Sequence, residues 1–337
     1  MTESGEEGAG LAAIERAHTL VHASPGRYRL TDLGRTGLEG VESRYFRLFI
    51  PVRYERLRLP TSLPEFSGVR HSATLSDSPV TTAAKLGGHW SEHNLAAICH
   101  VAACNFRCSY CYVDYRHLAG DDSRAETAAG LVGEFGRMRR RLASGGRRLS
   151  ILRLSGGEPL LAPGLITEVY RELERLDLLG SVVVKAESNL SALPYALRSL
   201  DDSGRRAFRD VAPRLTLHAT LHARPGQRDW RAILEGLALA VDLGIDVYPA
   251  IGGADWPRSD MLALLDALAG ASAGLVHRLA VRPFNLAYAE RYGRRKTLKP
   301  SADRPPHLST SAVWEELLRE RTGEPYLARP RHEIGLS

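Results

Sequence analysis

The chain predicts an α/β fold: a partial (β/α)6, TIM-like barrel with a small N-terminal extension and a C-terminal helical segment. Three observations lead there. Six short apolar runs alternate with stretches of helical periodicity from Ile98 onward, the rhythm of a parallel sheet covered by helices. Six such units curl more naturally into an open barrel than into a closed eight-stranded one. The residues that can carry chemistry fall directly after the runs, where ligand sites on parallel sheets lie.

In order, residues 1–95 read as an extension outside this repeat. Tyr28-Arg-Leu-Thr and the stretch from Tyr45 to Tyr54 alternate like strands, while Pro60 to Thr82 is rich in Pro, Ser, Thr and Gly and reads as irregular. Residues 96–285 form the barrel. Its strands are Ile98-Cys-His-Val-Ala, Ile151-Leu-Arg-Leu-Ser, Val182-Val-Val-Lys-Ala, Leu215-Thr-Leu-His-Ala-Thr, Ile245-Asp-Val-Tyr-Pro and Leu279-Ala-Val-Arg-Pro. Helices are expected at 123–142, 163–176, 192–199, 227–243 and 257–270, with Gly244 as a helix stop. Residues 286–337 close the open side. They hold a turn at Arg304-Pro-Pro and a helix from Ser311, whose Trp314, Leu317 and Leu318 share helical spacing and belong in the core.

Composition narrows the function classes. The chain has 337 residues, and its hydrophobic content of 44% is enough for a large core. No apolar run is long enough to span a bilayer, and the acidic start lacks the order of an export signal; the expectation is a cytoplasmic protein with no membrane partner. Net charge is +6, with basic runs at Arg137-Met-Arg-Arg-Arg and Tyr292-Gly-Arg-Arg-Lys. Neither stands beside an aromatic RNA-reading motif, so they read as solvated surface and nucleic acid is not the expected partner.

Three of the four cysteines, Cys104, Cys108 and Cys111, lie within "CNFRCSYC". A chain this long without an export signal does not use them as a disulfide framework. A structural zinc site needs four ligands, commonly two paired hooks, and only His100 or His117 stands near to complete one. An iron–sulfur cubane suits thiolates better, and three of them leave one iron open to a substrate or cofactor. Cys99 stands apart and reads as a small buried residue of the first strand.

The motifs resemble those of the radical S-adenosylmethionine enzymes. The family's Cys-x3-Cys-x-aromatic-Cys pattern is met by Cys104, Cys108, Tyr110 and Cys111 without departure. Its glycine-rich second motif is met by Gly156-Gly157-Glu158-Pro159 after the second strand. The likeness covers about residues 96–285. It implies a [4Fe-4S] cluster on the three cysteines, with the fourth iron holding the amino and carboxylate groups of S-adenosyl-L-methionine. It places Tyr110 near the adenine or under the cluster loop. Gly156, Gly157 and Glu158 would sit at the methionine amino end, Ser188 and Asn189 at the ribose, and Ile251 with its neighbour at an adenine shelf. His218, Thr220 and His222 share strand parity and, with Lys185, Tyr248 and Arg282, are candidate substrate-facing or catalytic residues.

The implied reaction is reductive cleavage of S-adenosylmethionine to a 5'-deoxyadenosyl radical, which abstracts hydrogen from substrate. An external one-electron reductant of flavodoxin or ferredoxin type is implied. No cysteine follows Cys111, so the subgroup expected lacks a cysteine-rich auxiliary-cluster tail. The leading substrate class is a small polar metabolite, of sugar or nucleoside type, in natural product biosynthesis. The alternatives are cross-linking or epimerisation of a ribosomally made peptide, or an activase or RNA-modifying enzyme.

Overall fold

The computed structural model describes residues 3–38, 40–49, 85–86, 94–108, 110–252, 256–282, 306–326 and 331–336. The chain opens with helix α1 (Glu3–Val21) and strands β1 (His22–Ser24), β2 (Arg27–Thr31) and β3 (Arg47–Phe49). β4 (Asn94–Val101) begins the parallel sheet, and after the cysteine loop come a short helix, α2 (Tyr115–Leu118), and β5 (Ser123–Glu126). β6 (Arg148–Gly156), β7 (Val183–Ser188), β8 (Thr216–Thr220), β9 (Asp246–Gly252) and β10 (Ala280–Arg282) then add in sequence order, each parallel to the last.

The crossovers are helical. α3 (Ala128–Ala143) precedes β6, and α4 (Pro163–Arg175) joins β6 to β7. α5 (Leu193–Arg198) and α6 (Asp202–Val211) lead to β8, and α7 (Trp230–Asp242) to β9. α8 (Arg258–Ala271) and α9 (Ala273–Arg278) lead to β10, and α10 (Pro306–Thr322) follows. The six parallel strands and their order match the expected partial barrel. Among the described residues β10 does not pair with β4, so the sheet is open.

The N-terminal strands extend the same sheet. β2 and β3 both lie antiparallel along the free edge of β4, β2 at Leu30–Val101 and β3 from Arg47–Ile98 to Phe49–Ala96. Three differences from the sequence reading have local causes. α1 was not expected, because Gly5, Gly8 and Gly10 and the acidic start obscure its periodicity. The segment 123–126 pairs with β2 rather than starting a helix. α3 begins only after Thr127, whose hydroxyl accepts the Gly130 N–H as an N-cap. α6 is polar and buries Phe208, too little for a hydrophobic stripe to show. The irregular stretch from Pro60 to Thr82, the second basic run and the Arg304-Pro-Pro turn lie outside the described residues.

Register divides the six strands into two unlike faces. Cys99, Leu154, Ala186, Leu217 and Val247 are lateral neighbours, all fully buried in the helix-covered core. Each leucine there contributes about 1.5–3 kcal/mol by burial. One residue along, the opposite face carries Arg153, Lys185, Thr216 and Asp246 in one row, and His100, Ser155, Glu187, His218 and Tyr248 in the next. Trp314 and Leu318 are fully buried and Leu317 nearly so, as expected. Gly244 adopts φ +71° after α7, the left-handed stop that glycine supplies.

Candidate active site

The cysteine loop leaves the carboxyl end of β4 beside the glycine-rich loop that leaves β6. The two are joined by backbone. Gly157 N–H donates to the Val101 carbonyl at 2.9 Å and Glu158 N–H to the Ala103 carbonyl at 2.6 Å. This approach leaves no room for side chains. A Cβ on Gly157 would stand 2.0 Å from the Ala103 oxygen, and one on Gly156, at φ +82°, would stand 2.5 Å from the His100 Cβ. The amide hydrogens of this loop thus serve the protein; a bound ammonium would turn to its carbonyl oxygens.

The Glu158 carboxylate is buried and faces inward. Ser188 Oγ donates to it at 2.7 Å, Asn189 N–H at 2.6 Å and Leu160 N–H at 2.9 Å. Burial outweighs these donors and pushes its pKa up to about 7. Ser188 and Asn189 therefore tie the end of β7 to the glycine-rich loop. Asn189 also reaches the cysteine loop, its Nδ2 donating to Asn105 Oδ1 at 3.1 Å and lying 3.9 Å from Cys104 Sγ. Ser191 completes the tie: Asn105 Nδ2 donates to its hydroxyl, which donates to Asn189 Oδ1 at 2.6 Å. Asn105 and Ser191 were not singled out from sequence; their signal is only that each lies within two residues of a residue that was.

The three thiols form no disulfide and are partly buried. Each meets a nitrogen. Phe106 N–H donates to Cys104 Sγ at 3.4 Å, Val113 N–H donates to Cys111 Sγ at 3.4 Å, and His222 Nδ1 lies 3.5 Å from Cys108 Sγ. Burial, with neighbouring acids and thiols, raises Cys104 well above the usual thiol range and Cys108 to about 12. Buried thiols so raised are poor anions by themselves, and a cationic metal centre would supply the missing charge.

His222 lies two residues beyond the end of β8 and packs on the loop. Its ring stacks on Tyr110 with centroids 5.6 Å apart, is hydrogen-bonded to the Tyr110 hydroxyl, and meets Phe106 edge-on. Burial pushes its pKa down to about 4, which keeps it neutral. His218 stays on the polar face of β8, with its ring near Tyr248. The two histidines, which share strand parity, thus serve different neighbourhoods.

The polar face gathers around Glu187. Arg153 and the Ser155 hydroxyl both donate to its carboxylate. The Tyr112 hydroxyl lies 2.6 Å from Ser155 Oγ and 3.3 Å from Glu187 Oε2. Burial alone would raise Glu187, but Arg153 and Ser155 hold it down at about 2. Lys185 is buried one row away, in register with Arg153. Tyr248 is buried with the Arg278 guanidinium over its ring at 4.5 Å. Ile251 is buried in β9, and the neighbouring Ala250 carbonyl accepts the Leu221 N–H at 2.8 Å. Arg282 ends β10, and its side chain lies outside the described residues. A cavity of about 510 Å3, lined in part by Tyr170, Val182 and Arg214, opens at the amino end of β7, away from the cysteines.

Among the described residues, no three of His, Cys, Asp and Glu converge to hold a single metal ion. A cubane makes no such demand, since each thiolate meets a different iron. Three soft sulfur donors, each beside a nitrogen, on a loop pinned by backbone hydrogen bonds, fit a cluster better than a lone ion.

The site is thus a three-cysteine loop at the carboxyl edge of a parallel α/β sheet, locked to a glycine-rich second loop. The model of the Radical SAM superfamily matches residues 98–268, half of the chain, and the chain belongs to that superfamily. No curated protein matches. Among solved structures, the chain is similar to Streptococcus suis SuiB bound to precursor peptide SuiA, with 13% identity and a TM-score of 0.45. That likeness covers 78% of this chain and 53% of the other, so the chain spans about half the length of the structure it matches. No helix among the described residues is long and apolar enough to cross a membrane.

Proposed function

We propose that the chain is a radical S-adenosylmethionine enzyme that abstracts hydrogen from a polar substrate held on the Arg153–Glu187–His218 face. The observation that carries this is the cysteine loop itself: Cys104, Cys108 and Cys111, each beside a nitrogen, on a loop locked to Gly156-Gly157-Glu158. These three cysteines would hold a [4Fe-4S] cluster and leave one iron for the amino and carboxylate groups of S-adenosylmethionine. When bound, the pair supplies a 5'-deoxyadenosyl radical after one electron arrives from an external flavodoxin- or ferredoxin-type reductant.

The protein's own share is position and exclusion of water. The Val101–Gly157 and Ala103–Glu158 hydrogen bonds fix one loop against the other. Glu158, held by Ser188 and Asn189, sets the β7 end at the same height. Tyr110 and His222 cover the loop with two stacked rings. His218, Lys185 and Glu187 would orient substrate through hydrogen bonds and charge.

The substrate class that suits such a face is a small polar metabolite of sugar or nucleoside type, because the whole molecule can be met by hydrogen-bonding groups. A ribosomally made peptide is the competing class, and would present one polar side chain to the same groups; the SuiB structure, with its precursor peptide, makes that class a required arm of the test. The test is deuterium transfer into 5'-deoxyadenosine, read by mass spectrometry, from labelled metabolites and from labelled candidate precursor peptides. Transfer from a metabolite supports the first class, and transfer from a peptide replaces it with the second. Deuterium from neither, with the label retained in every substrate, would contradict a polar substrate on this face.

A further inference from the structure

The three sulfurs do not have the same neighbours. Cys104 and Cys111 each accept a backbone N–H of their own loop, from Phe106 and Val113. Cys108 is met by two side chains, one from its own loop and one from beyond β8. His222 Nδ1 lies 3.5 Å from its Sγ. The Tyr110 hydroxyl is hydrogen-bonded to His222 Nδ1 and also to the Cys108 thiol. Sulfur, phenol oxygen and imidazole nitrogen thus form a closed triangle.

The imidazole is held in this triangle on two sides. It stacks on Tyr110 with 26° between the ring planes and meets Phe106 edge-on at 85°. Its chain neighbour is anchored too, since the Leu221 N–H donates to the Ala250 carbonyl of β9 at 2.8 Å. The hydrogens of the triangle have two arrangements. In one, the phenol donates to Nδ1 and the sulfur receives nothing from the pair. In the other, Nδ1 carries the hydrogen and gives it to the phenol oxygen or to the sulfur, and the phenol O–H is left for the sulfur. A thiolate is the strongest acceptor of the three, and favours the second arrangement.

We infer that His222 is a positioning residue for the cluster: with Tyr110 it directs a hydrogen bond to the Cys108 sulfur and so raises the cluster's reduction potential. This deepens the reading above and rests on it for the presence of a cluster. A hydrogen bond to sulfur draws charge away from the iron–thiolate unit and favours the form that holds the extra electron. The effect is to ease the arrival of the electron from the external reductant. It also gives the end of β8 two tasks, with His218 on the polar face and His222 on the cysteine loop.

The test is a redox titration of the reconstituted full chain without S-adenosylmethionine, followed by the electron paramagnetic resonance of the reduced cluster. Iron content is measured beside it. His222→Phe keeps a ring for the stack and removes the nitrogen. At a fixed solution potential its ratio of reduced to oxidised cluster should fall about tenfold, the scale of one hydrogen bond to a charged group; for one electron that is about 59 mV. Iron content should not change. His222→Asn keeps an N–H donor near the place of Nδ1 and should recover part of the shift. A potential unmoved in His222→Phe overturns the inference, and so do equal shifts in the Phe and Asn variants, which a packing role alone would give. Should His222→Phe fail to take up iron, Tyr110→Phe reads the same hydrogen bond with the histidine intact, and an unmoved potential there overturns the inference. A native chain that takes up no cluster overturns both this inference and the reading it rests on. A native cluster that forms and is indifferent to His222 overturns the inference alone.

Discussion

Leu154 and Arg153 are neighbours on β6, and they live under opposite rules. Leu154 faces the helices, fully buried among Cys99, Ala186 and Leu217. Arg153 faces the other way and is held by Glu187, with Lys185 and Ile98 beside it in register. The interior of a (β/α) barrel is ordinarily filled by bulky branched apolar residues. Here the apolar filling is complete on the helix side and the other face is given to charge. That asymmetry separates the part of the sheet that holds the fold together from the part free to bind.

The largest effect should come from breaking the polar face at its centre. Arg153→Met leaves the mostly buried Glu187 without its main partner and should cost about 3–5 kcal/mol, measured by denaturant unfolding. A loss under about 1 kcal/mol would mean that Glu187 has a second partner able to replace Arg153. On the other face, Leu154→Ala should cost about 3 kcal/mol through its cavity and leave the iron content of the reconstituted chain unchanged. Loss of iron in that variant would show that the two faces are not separable.

A third test uses pH. The folded-state pKa of Glu187 is about 2, below its ordinary 4.5. The stability it contributes is therefore present above about pH 4.5 and is lost as the pH falls through 2. Glu187→Gln should flatten the stability curve across that window and leave neutral pH dependence alone. An unchanged acid limb would place the acid-sensitive group elsewhere. The smallest effect is expected at Cys99. It lies on the helix-covered face, fully buried, while its neighbour His100 faces the polar side. Cys99→Ala should cost about 1 kcal/mol, on the order of a buried methyl-sized deletion, and preserve the yield of 5'-deoxyadenosine. A large loss of that product would assign Cys99 a part in the chemistry that its face does not suggest.

The same contrast explains what the sequence made legible. Strands β6 to β9 and helices α4, α7 and α8 carry their own periodicity, so their bounds could be read within a few residues. The cysteine and glycine-rich motifs are local, and local order survives in a linear text. Arg47, Tyr112, Arg153 and His100 come from β3, the cysteine loop, β6 and β4; no spacing announces that they meet. Arg153 looked like one residue of an apolar run. Its partner Glu187 stands just past the run Val182-Val-Val-Lys-Ala, and only lateral register shows that it lies one row along on the same face. His222 misled in the other direction: its parity with His218 is real, but β8 ends at Thr220 and the chain then carries His222 to Tyr110 and Cys108.

The most direct measurement is anaerobic reconstitution with iron and sulfide, reduction in the presence of S-adenosylmethionine, and mass spectrometry for 5'-deoxyadenosine. A variant with Cys104, Cys108 and Cys111 all changed to alanine is the control. The account predicts product from the native chain and none from the variant. A native chain that takes up zinc, or takes up a cluster and leaves the sulfonium intact, would contradict it.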